Sequence, residues 1–214
     1  MITPTEIEAL LDNLDLQNKI IVQTGKHSLE SGQGFYVFDI YLNGILNRSV
    51  NLSRGFSSLM RDKNFIAAAP LVRLHLDSLL RLFAPQLIDF NVDDFAMQVM
   101  KGTSIRTIKD RENEKLTDTR LVKMLSEMEG FEWVKKVYNT GSTFVHYTDQ
   151  TIFASMNKSE KERVVNFTIG QHDEFIPLNE KHGAAFWMNK ITEGILIFTQ
   201  SWIEQKKSYL ANGG

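Results

Sequence analysis

Apolar residues recur every three or four positions along most of the chain, which predicts a protein built mainly of α-helices. In the first predicted helix the recurring apolar residues are Ile7, Leu10, Leu11 and Leu14. Thr3 or Thr5 can cap the start of this helix, because a threonine hydroxyl accepts a hydrogen bond from a free backbone N–H. Glycines and serines are frequent in residues 25–34, so we expect a loop there.

The second periodic segment, residues 35–61, predicts a long helix with one apolar face. On the opposite face Asn43, Asn47 and Asn51 recur four residues apart. Asparagine is a mediocre helix former, so three in register are unusual. Two interpretations stay open: a solvated face, or a polar ladder that lines a cleft or a subunit contact.

Apolar residues surround the segment 64–83 on nearly every side, which predicts a central, buried helix. Asn64 is the expected N-cap of this helix. Pro70 lies too far from Asn64 for a first-turn proline, so we expect either a kink at Pro70 or a later start of the helix.

One face of this helix carries Arg73, Asp77 and Arg81, at intervals of four residues and within ion-pair reach. Two guanidiniums flank one carboxylate, and an unanswered charge in an apolar helix is costly. One interpretation is an internal or dimer-interface network, in which an acidic residue of a neighbouring helix, for example Asp39, answers the second arginine. The other is that the spare guanidinium binds an anion such as phosphate.

The second half of the chain predicts shorter elements before a long final helix. The expected helices run over residues 93–101, from Thr117 or Asp118 to near Gly130, over residues 132–137 with an unclear end, and over residues 179–210. The alternation in residues 163–169 predicts a strand, which could pair with residues 175–178 across a turn. The predicted fold is therefore an all-α bundle of about five to seven helices with a small β-hairpin near residues 163–178, in a single domain over residues 1–214.

Composition and the placement of charged residues add to this picture. The chain has no cysteine, which excludes disulfides, thiolate metal sites and cysteine nucleophiles and fits a reducing compartment. The formal net charge is −2, so no global basic excess indicates nucleic acid. The N-terminus is acidic rather than signal-like, and charged residues interrupt the longest apolar stretch. We therefore expect a cytoplasmic protein without a membrane span.

Several common active-site motifs are absent from the sequence. It contains no GxxxxGK[ST], GxGxxG, HExxH or GxSxG, which removes the usual signatures of nucleotide binding, zinc peptidases and serine hydrolases. We therefore assign no metal site, and the sequence leaves the cofactor unknown.

The sequence STFVHYT, residues 142–148, concentrates hydroxyl groups around His146. On a helix, Ser142 and His146 would share a face, and histidine is the natural acid–base group near neutral pH. His146 and Arg73 are thus the catalytic candidates, with Tyr147 as a ligand-binding neighbour. The alternative for His146 is a hydrogen-bonded structural histidine.

The connector over residues 101–118 mixes basic and acidic side chains, which is typical of a solvated loop. Lys101, Arg106 and Lys109 precede its acidic residues, so they could instead form a small phosphate-binding edge.

Three stretches together resemble a group of uncharacterised bacterial helical proteins associated with phage defence and abortive infection: NFIAAAPLVRLHLDSLLRLFA (64–84), KGTSIRTIKDRENEKLTDTRLVKML (101–125) and STFVHYTDQTIF (142–153). The resemblance implies a defence role but assigns no role to individual residues. The HEPN-type nucleases among such proteins place a histidine four to six residues after an arginine, and no arginine here has a histidine at that spacing.

Two functional hypotheses follow. In the first, a defence-associated protein binds or acts on nucleic acid or another phosphate-bearing ligand, with Arg73, Arg81 and His146 converging in one pocket. In this hypothesis the ligand-binding candidates are Arg81, Asp77, Lys101, Arg106, Lys109 and Tyr147. In the second, a non-catalytic helical sensor or adaptor binds a protein partner. In both we expect a homodimer, because long helices and three tryptophans offer more apolar surface than one small bundle needs.

Overall fold

The computed structural model describes residues 2–31, 35–145, 152, 156–158, 164–167, 169–170 and 173–211. Within these residues the chain forms seven α-helices and one two-stranded antiparallel sheet. In chain order the elements are α1 (Pro4–Glu30), α2 (Val37–Arg61), α3 (Phe65–Phe83), α4 (Val92–Met100), α5 (Asp118–Ser126), α6 (Val134–Val145), β1 (Met156–Lys158), β2 (Val165–Phe167) and α7 (Leu178–Ala211). Short 3₁₀ turns lie at Ala84–Gln86 and Ile105–Thr107. The predicted all-α class is confirmed.

Helix α3 is the centre of the bundle, as its apolar composition predicts. It packs against α2, α6 and α7, while α1 packs against α2 and α7. Leu76, Leu79 and Leu80 of α3 are completely buried. Helices α1 and α7 are linked along their length, from the Asn13–Asn189 hydrogen bond of 2.7 Å to the contact of Lys206 with the Ser28 carbonyl.

The start of α1 follows from its sequence, but its predicted end was wrong. Thr3 caps the helix, and its hydroxyl accepts from the Glu6 N–H in a capping box. The helix then continues through Gly25 to Glu30 instead of entering a loop there. A Cβ built on Gly25 would lie 3.1 Å from Leu46 Cδ1 of α2. This glycine therefore allows two helices to approach closely and does not form a turn.

Helix α3 begins where the cap residue predicts. The Asn64 side chain accepts from the Ala67 N–H at 3.3 Å, and the helix runs from Phe65 through Pro70. A start later than Pro70 is therefore excluded. The proline removes one backbone donor, a cost that the surrounding burial of α3 outweighs.

Helices α5 and α6 refine the prediction. Thr117 caps α5, which ends at Ser126, and Gly130 follows with a φ of 83°. Helix α6 continues past Gly141 as far as Val145, the last described residue of this segment, so the predicted end near residue 137 was too early. Gly141 packs against α3, where an added Cβ would lie 3.0 Å from the Cβ of Arg73.

The hairpin differs from the prediction in its pairing. Strand β2 lies within the predicted strand, but its partner is β1, with Met156 opposite Phe167 and Lys158 opposite Val165. The predicted partner, residues 175–178, was wrong. Pro177 cannot donate to a strand ladder, and its carbonyl instead accepts from the Glu180 N–H at 3.1 Å as α7 begins.

None of the helices in the described part of the chain is long and apolar enough to span a membrane.

Candidate functional site

Five charged side chains from three helices form one continuous ion-pair chain, which we call the arginine cluster: Arg48, Arg73, Asp77, Arg81 and Asp118. Asp77 accepts from Arg48 Nη1 at 3.1 Å and from Arg81 Nη2 at 2.7 Å. Asp118 lies 2.5 Å from Arg81 Nη2 and 3.2 Å from Arg73 Nη2. Each carboxylate therefore bridges two arginines, and three positive groups face two negative ones.

The helices supply these residues for local reasons. Helix α3 contributes Arg73, Asp77 and Arg81 from one face, because residues four apart lie above one another on a helix. Asp118 is the first residue of α5, where a carboxylate also interacts favourably with the helix dipole. Arg48 reaches across from α2 and also donates to Ser78 Oγ at 2.9 Å.

Aromatic residues contact both ends of the row of charged residues on α3, Arg73–Asp77–Arg81, which we call the stripe. The Arg73 guanidinium lies 4.1 Å from the ring centroid of Tyr138 on α6, a cation–π distance. The Tyr41 hydroxyl donates to the Arg81 carbonyl at 2.8 Å. Gly141, one turn beyond Tyr138, allows α6 to approach the Arg73 backbone. The cluster is thus positioned from four helices.

The arginine cluster is half-buried and reachable by solvent. The exposed fraction of the side chains rises from 13% for Arg73 to 40% for Arg48. One donor atom, Arg81 Nη1, is buried and has no hydrogen-bond partner within the described residues. The cluster therefore has both surplus charge and a donor that is not satisfied internally.

The neighbouring charges set the protonation state of Asp118. Burial alone would raise the pKa of this carboxyl, but the hydrogen bond and charge of Arg81, together with Arg73, lower the pKa below its usual value. Asp118 is therefore ionised at neutral pH.

His75 lies on the same helix but cannot serve as an acid or base there. Burial, followed by the charge of Arg48, lowers the pKa of His75 to about 3. Its ring Nε2 lies 2.9 Å from the Thr192 hydroxyl inside the bundle. This histidine is a neutral core residue.

The predicted grouping of charged residues on α3 is present in the structure, but its acidic partner differs from the expected one. The structure brings Arg73, Asp77 and Arg81 together, as expected. The suggestion that Asp39 answers the second arginine was wrong: Asp118 does so, while Asp39 accepts from Lys206 Nζ at 2.9 Å elsewhere in the bundle. The network interpretation of the stripe thus gains its partner, but from a different helix.

The STFVHYT segment is described only in part. His146 and Tyr147 lie outside the described residues, so their predicted roles stay predictions. Ser142 is described, and its hydroxyl donates to the Tyr138 carbonyl at 2.7 Å.

The three basic residues of the connector do not join the arginine cluster. Lys101 is the C-cap residue directly after α4, Arg106 lies exposed in a 3₁₀ turn, and Lys109 donates to Asn113 Oδ1 at 2.7 Å. The connector is a loop ordered around Asp110, whose carboxylate accepts from the Glu112 N–H at 2.9 Å. One open hollow on this loop is lined by Lys109, Asn113, Glu114, Lys115, Thr117, Thr119, Arg120 and Lys123.

Sequence reasoning missed two members of the site, Arg48 and Tyr138, and gave Asp118 only as a possible start of the helix that is now α5. Arg48 is 29 positions from Asp77, and no helical period relates them. For Tyr138 a signal existed: Gly141 lies three residues later, and a small residue inside a helix is typical of close packing against a neighbour.

Within the described residues there is no group of three or more histidine, aspartate or glutamate side chains arranged to hold a metal ion.

Comparisons with protein-family models, with curated proteins and with solved structures give no significant match, so a function has to be inferred from the site itself.

Proposed function

We propose that the arginine cluster binds the phosphate of a ligand, with nucleic acid as the ligand class. The observation that supports this is the charge count: three guanidiniums share two carboxylates, in a place that solvent reaches. A structural network would need only matched charges. The surplus guanidinium suits phosphate, which arginine binds through its planar fork.

A second basic surface supports a ligand longer than one phosphate. Thr117, directly before Asp118 in the chain, lines the connector hollow, which also carries Lys109, Lys115 and Lys123. A nucleic-acid backbone presents phosphates at regular intervals, so two adjacent basic surfaces fit it better than a small anion.

The binding experiment uses Arg48→Gln, which brings the formal charge of the cluster to zero. Asp77 has a second partner, Arg81 at 2.7 Å, so we expect this variant to fold. We expect affinity for a fluorescein-labelled 12-nucleotide RNA to fall about tenfold, as for loss of one charge-assisted contact. Lys135→Gln, an exposed lysine on α6, is the matched control and should change affinity less than twofold. Equal affinities of the two variants would contradict the proposal.

We further propose His146 and Arg73 as the catalytic pair if the bound nucleic acid is cleaved. Arg73 lies in the cluster, and histidine would supply acid–base chemistry. His146→Ala should then abolish RNA cleavage by the purified protein and leave RNA binding unchanged. Cleavage at the wild-type rate in His146→Ala would exclude this pair.

The cellular proposal is a cytoplasmic role in bacterial phage defence, supported by the sequence resemblance. A host that expresses the protein should reduce phage plaque numbers, and Arg48→Gln at equal protein level should restore them.

We also propose a homodimer. Leu16 and Ile20 of α1 are 54% and 39% exposed, and Ile197 of α7 is 55% exposed, on two helices that pack together. Light scattering after size exclusion gives the mass; a monomer at 100 μM would contradict this proposal.

A further inference from the structure

A groove runs between α1 and α2 on a surface separate from the arginine cluster. It consists of two open hollows, of about 510 Å³ and 200 Å³, that share Val22 and Val50 as walls. Asn43 and Asn47 of the asparagine ladder line one of these hollows, so part of the ladder lines a cleft, which was one of the two interpretations of that ladder.

Asn18 contributes an unsatisfied polar side chain to the wall of this groove. Its side chain is only 6% exposed, and neither its oxygen nor its nitrogen has a hydrogen-bond partner within the described residues. A buried amide with no partner costs free energy, roughly 1–3 kcal/mol per group. Asn18 lines the larger hollow, so a bound molecule that displaces the atoms covering the amide can satisfy it.

The chemistry of the lining matches a polypeptide main chain. An amide side chain offers a donor and an acceptor together, which is the complement of one peptide group. The groove carries four amide side chains, those of Asn18, Gln23, Asn43 and Asn47. Phosphates need donors only, and no aromatic residue lines the groove for base stacking. The observations therefore favour a peptide over a nucleic acid.

The charges of the groove select the kind of peptide. Lys19, Lys26 and Arg54 line it, and all three are exposed; Lys26 Nζ also lies 3.7 Å from Glu30 Oε1 in an exposed pair on the same helix. The one aspartate of the lining, Asp15, is already bound by Arg61 Nη1 at 2.7 Å. The groove is thus net positive, with an apolar centre at Val22 and Val50.

Its length sets the size of the occupant. From Asp15 to Lys26 the helix rises about 16 Å at 1.5 Å per residue, which corresponds to about five residues of extended chain.

We propose that the α1–α2 groove binds an extended, acidic segment of a partner protein, about five residues long, with one apolar side chain between Val22 and Val50 and its main chain bonded to the asparagine amides. The acidic side chains of that segment pair with Lys19, Lys26 and Arg54. This is the adaptor function in a specific place, and it does not depend on phosphate binding at the arginine cluster.

The probe is a fluorescein-labelled peptide with glutamates flanking one leucine, and its counterpart has lysines in place of the glutamates. Anisotropy should show saturable binding of the acidic peptide and none of the basic one. Lys19→Glu with Arg54→Glu should weaken binding at least tenfold. Lys135→Glu with Lys136→Glu, which reverses two exposed charges on α6, is the matched control and should weaken it less than twofold.

The side-chain amide resonances of Asn18, Asn43 and Asn47 give a second, local readout in a ¹⁵N spectrum. They should shift as the acidic peptide is added. Absence of saturable binding, equal binding of the basic peptide, or the same amide shifts on addition of a 12-nucleotide RNA would each overturn the proposal. All four substituted residues are exposed, so the melting temperatures of both double variants should stay near the wild-type value. A loss of binding then does not reflect a loss of folding.

Discussion

Asp118→Asn separates a structural from a binding role of the arginine cluster. The substitution keeps the shape of the side chain and removes the charge that faces Arg81 at 2.5 Å and Arg73 at 3.2 Å. Removing one partner of a buried pair costs about 3–5 kcal/mol, because the other charge stays uncompensated. Asp118 is about a quarter exposed, so we expect roughly 2–3 kcal/mol at neutral pH.

The pH dependence of this loss follows from the lowered pKa of Asp118. A carboxyl with a lower pKa in the folded state stabilises the fold above its unfolded pKa of about 3.9, and this stabilisation disappears as pH falls through the folded pKa. The difference between wild type and Asp118→Asn should therefore be complete at pH 7 and decline below about pH 4. Urea unfolding at several pH values measures it.

Phosphate makes the test specific. In Asp118→Asn two guanidiniums lose their shared carboxylate, so an anion can take its place. Unfolding in phosphate should recover stability compared with chloride at equal ionic strength, by RT ln(1 + [L]/Kd), or about 2.7 kcal/mol at a hundred times Kd. Glu112→Gln, which removes an exposed partner of Arg120, is the control and should change stability by under about 1 kcal/mol without a phosphate effect. A loss below about 0.5 kcal/mol, or equal stability of Asp118→Asn in both salts, would refute the reasoning.

Three further substitutions test the packing and the core charges. Gly25→Ala should destabilise the protein by about 1–3 kcal/mol in urea unfolding, because its Cβ would meet Leu46 at 3.1 Å, whereas Gly44→Ala, with open space around it, should stabilise by about 0.5–1 kcal/mol. Lys206→Met should lower stability by about 3–5 kcal/mol because it leaves Asp39 buried and unpaired, and adding Asp39→Asn should restore part of the loss; additive losses would contradict this. Because the pKa of His75 is about 3 when folded and about 6.5 when unfolded, stability should fall as pH drops below about 6.5, and His75→Asn should flatten that slope in pH-dependent urea unfolding.

Much of the fold was predictable because its signals are local. Helix starts at Thr3, Asn64 and Thr117 follow from a side chain that accepts from the backbone N–H three residues later. Gly25 led to a wrong prediction, because glycine occurs both in loops and where two helices pack closely, and the sequence alone does not distinguish the two. The pairing of β2 with β1 was missed because alternation marks a strand but does not identify its partner.

The candidate site was predictable only along one helix. Arg73, Asp77 and Arg81 are visible because their spacing matches the helical period. Asp118 and Arg48 enter from other helices, 37 and 29 positions away from their partners, and only the packing of α2, α3 and α5 brings them in. Charge balance predicted that an acid must exist near the stripe, but it could not choose between Asp39 and Asp118.

The same bundle contains a charged pair with which the arginine cluster can be compared. Lys206 and Asp39 are matched one to one, both about 1% exposed, and the ammonium also donates to the Ser28 carbonyl. Asp39 is further satisfied by Trp202 Nε1 at 2.8 Å and by the Tyr36 N–H at 3.1 Å. In this buried structural pair, each charge is therefore matched by an opposite charge and by further hydrogen bonds. The arginine cluster has neither matched charges nor full hydrogen bonding. It holds three positive and two negative groups, and Arg81 Nη1 has no partner within the described residues. This difference supports the proposal that an anion from outside answers the surplus charge, and Arg48, at 40% exposure, is the member of the cluster that such an anion reaches first.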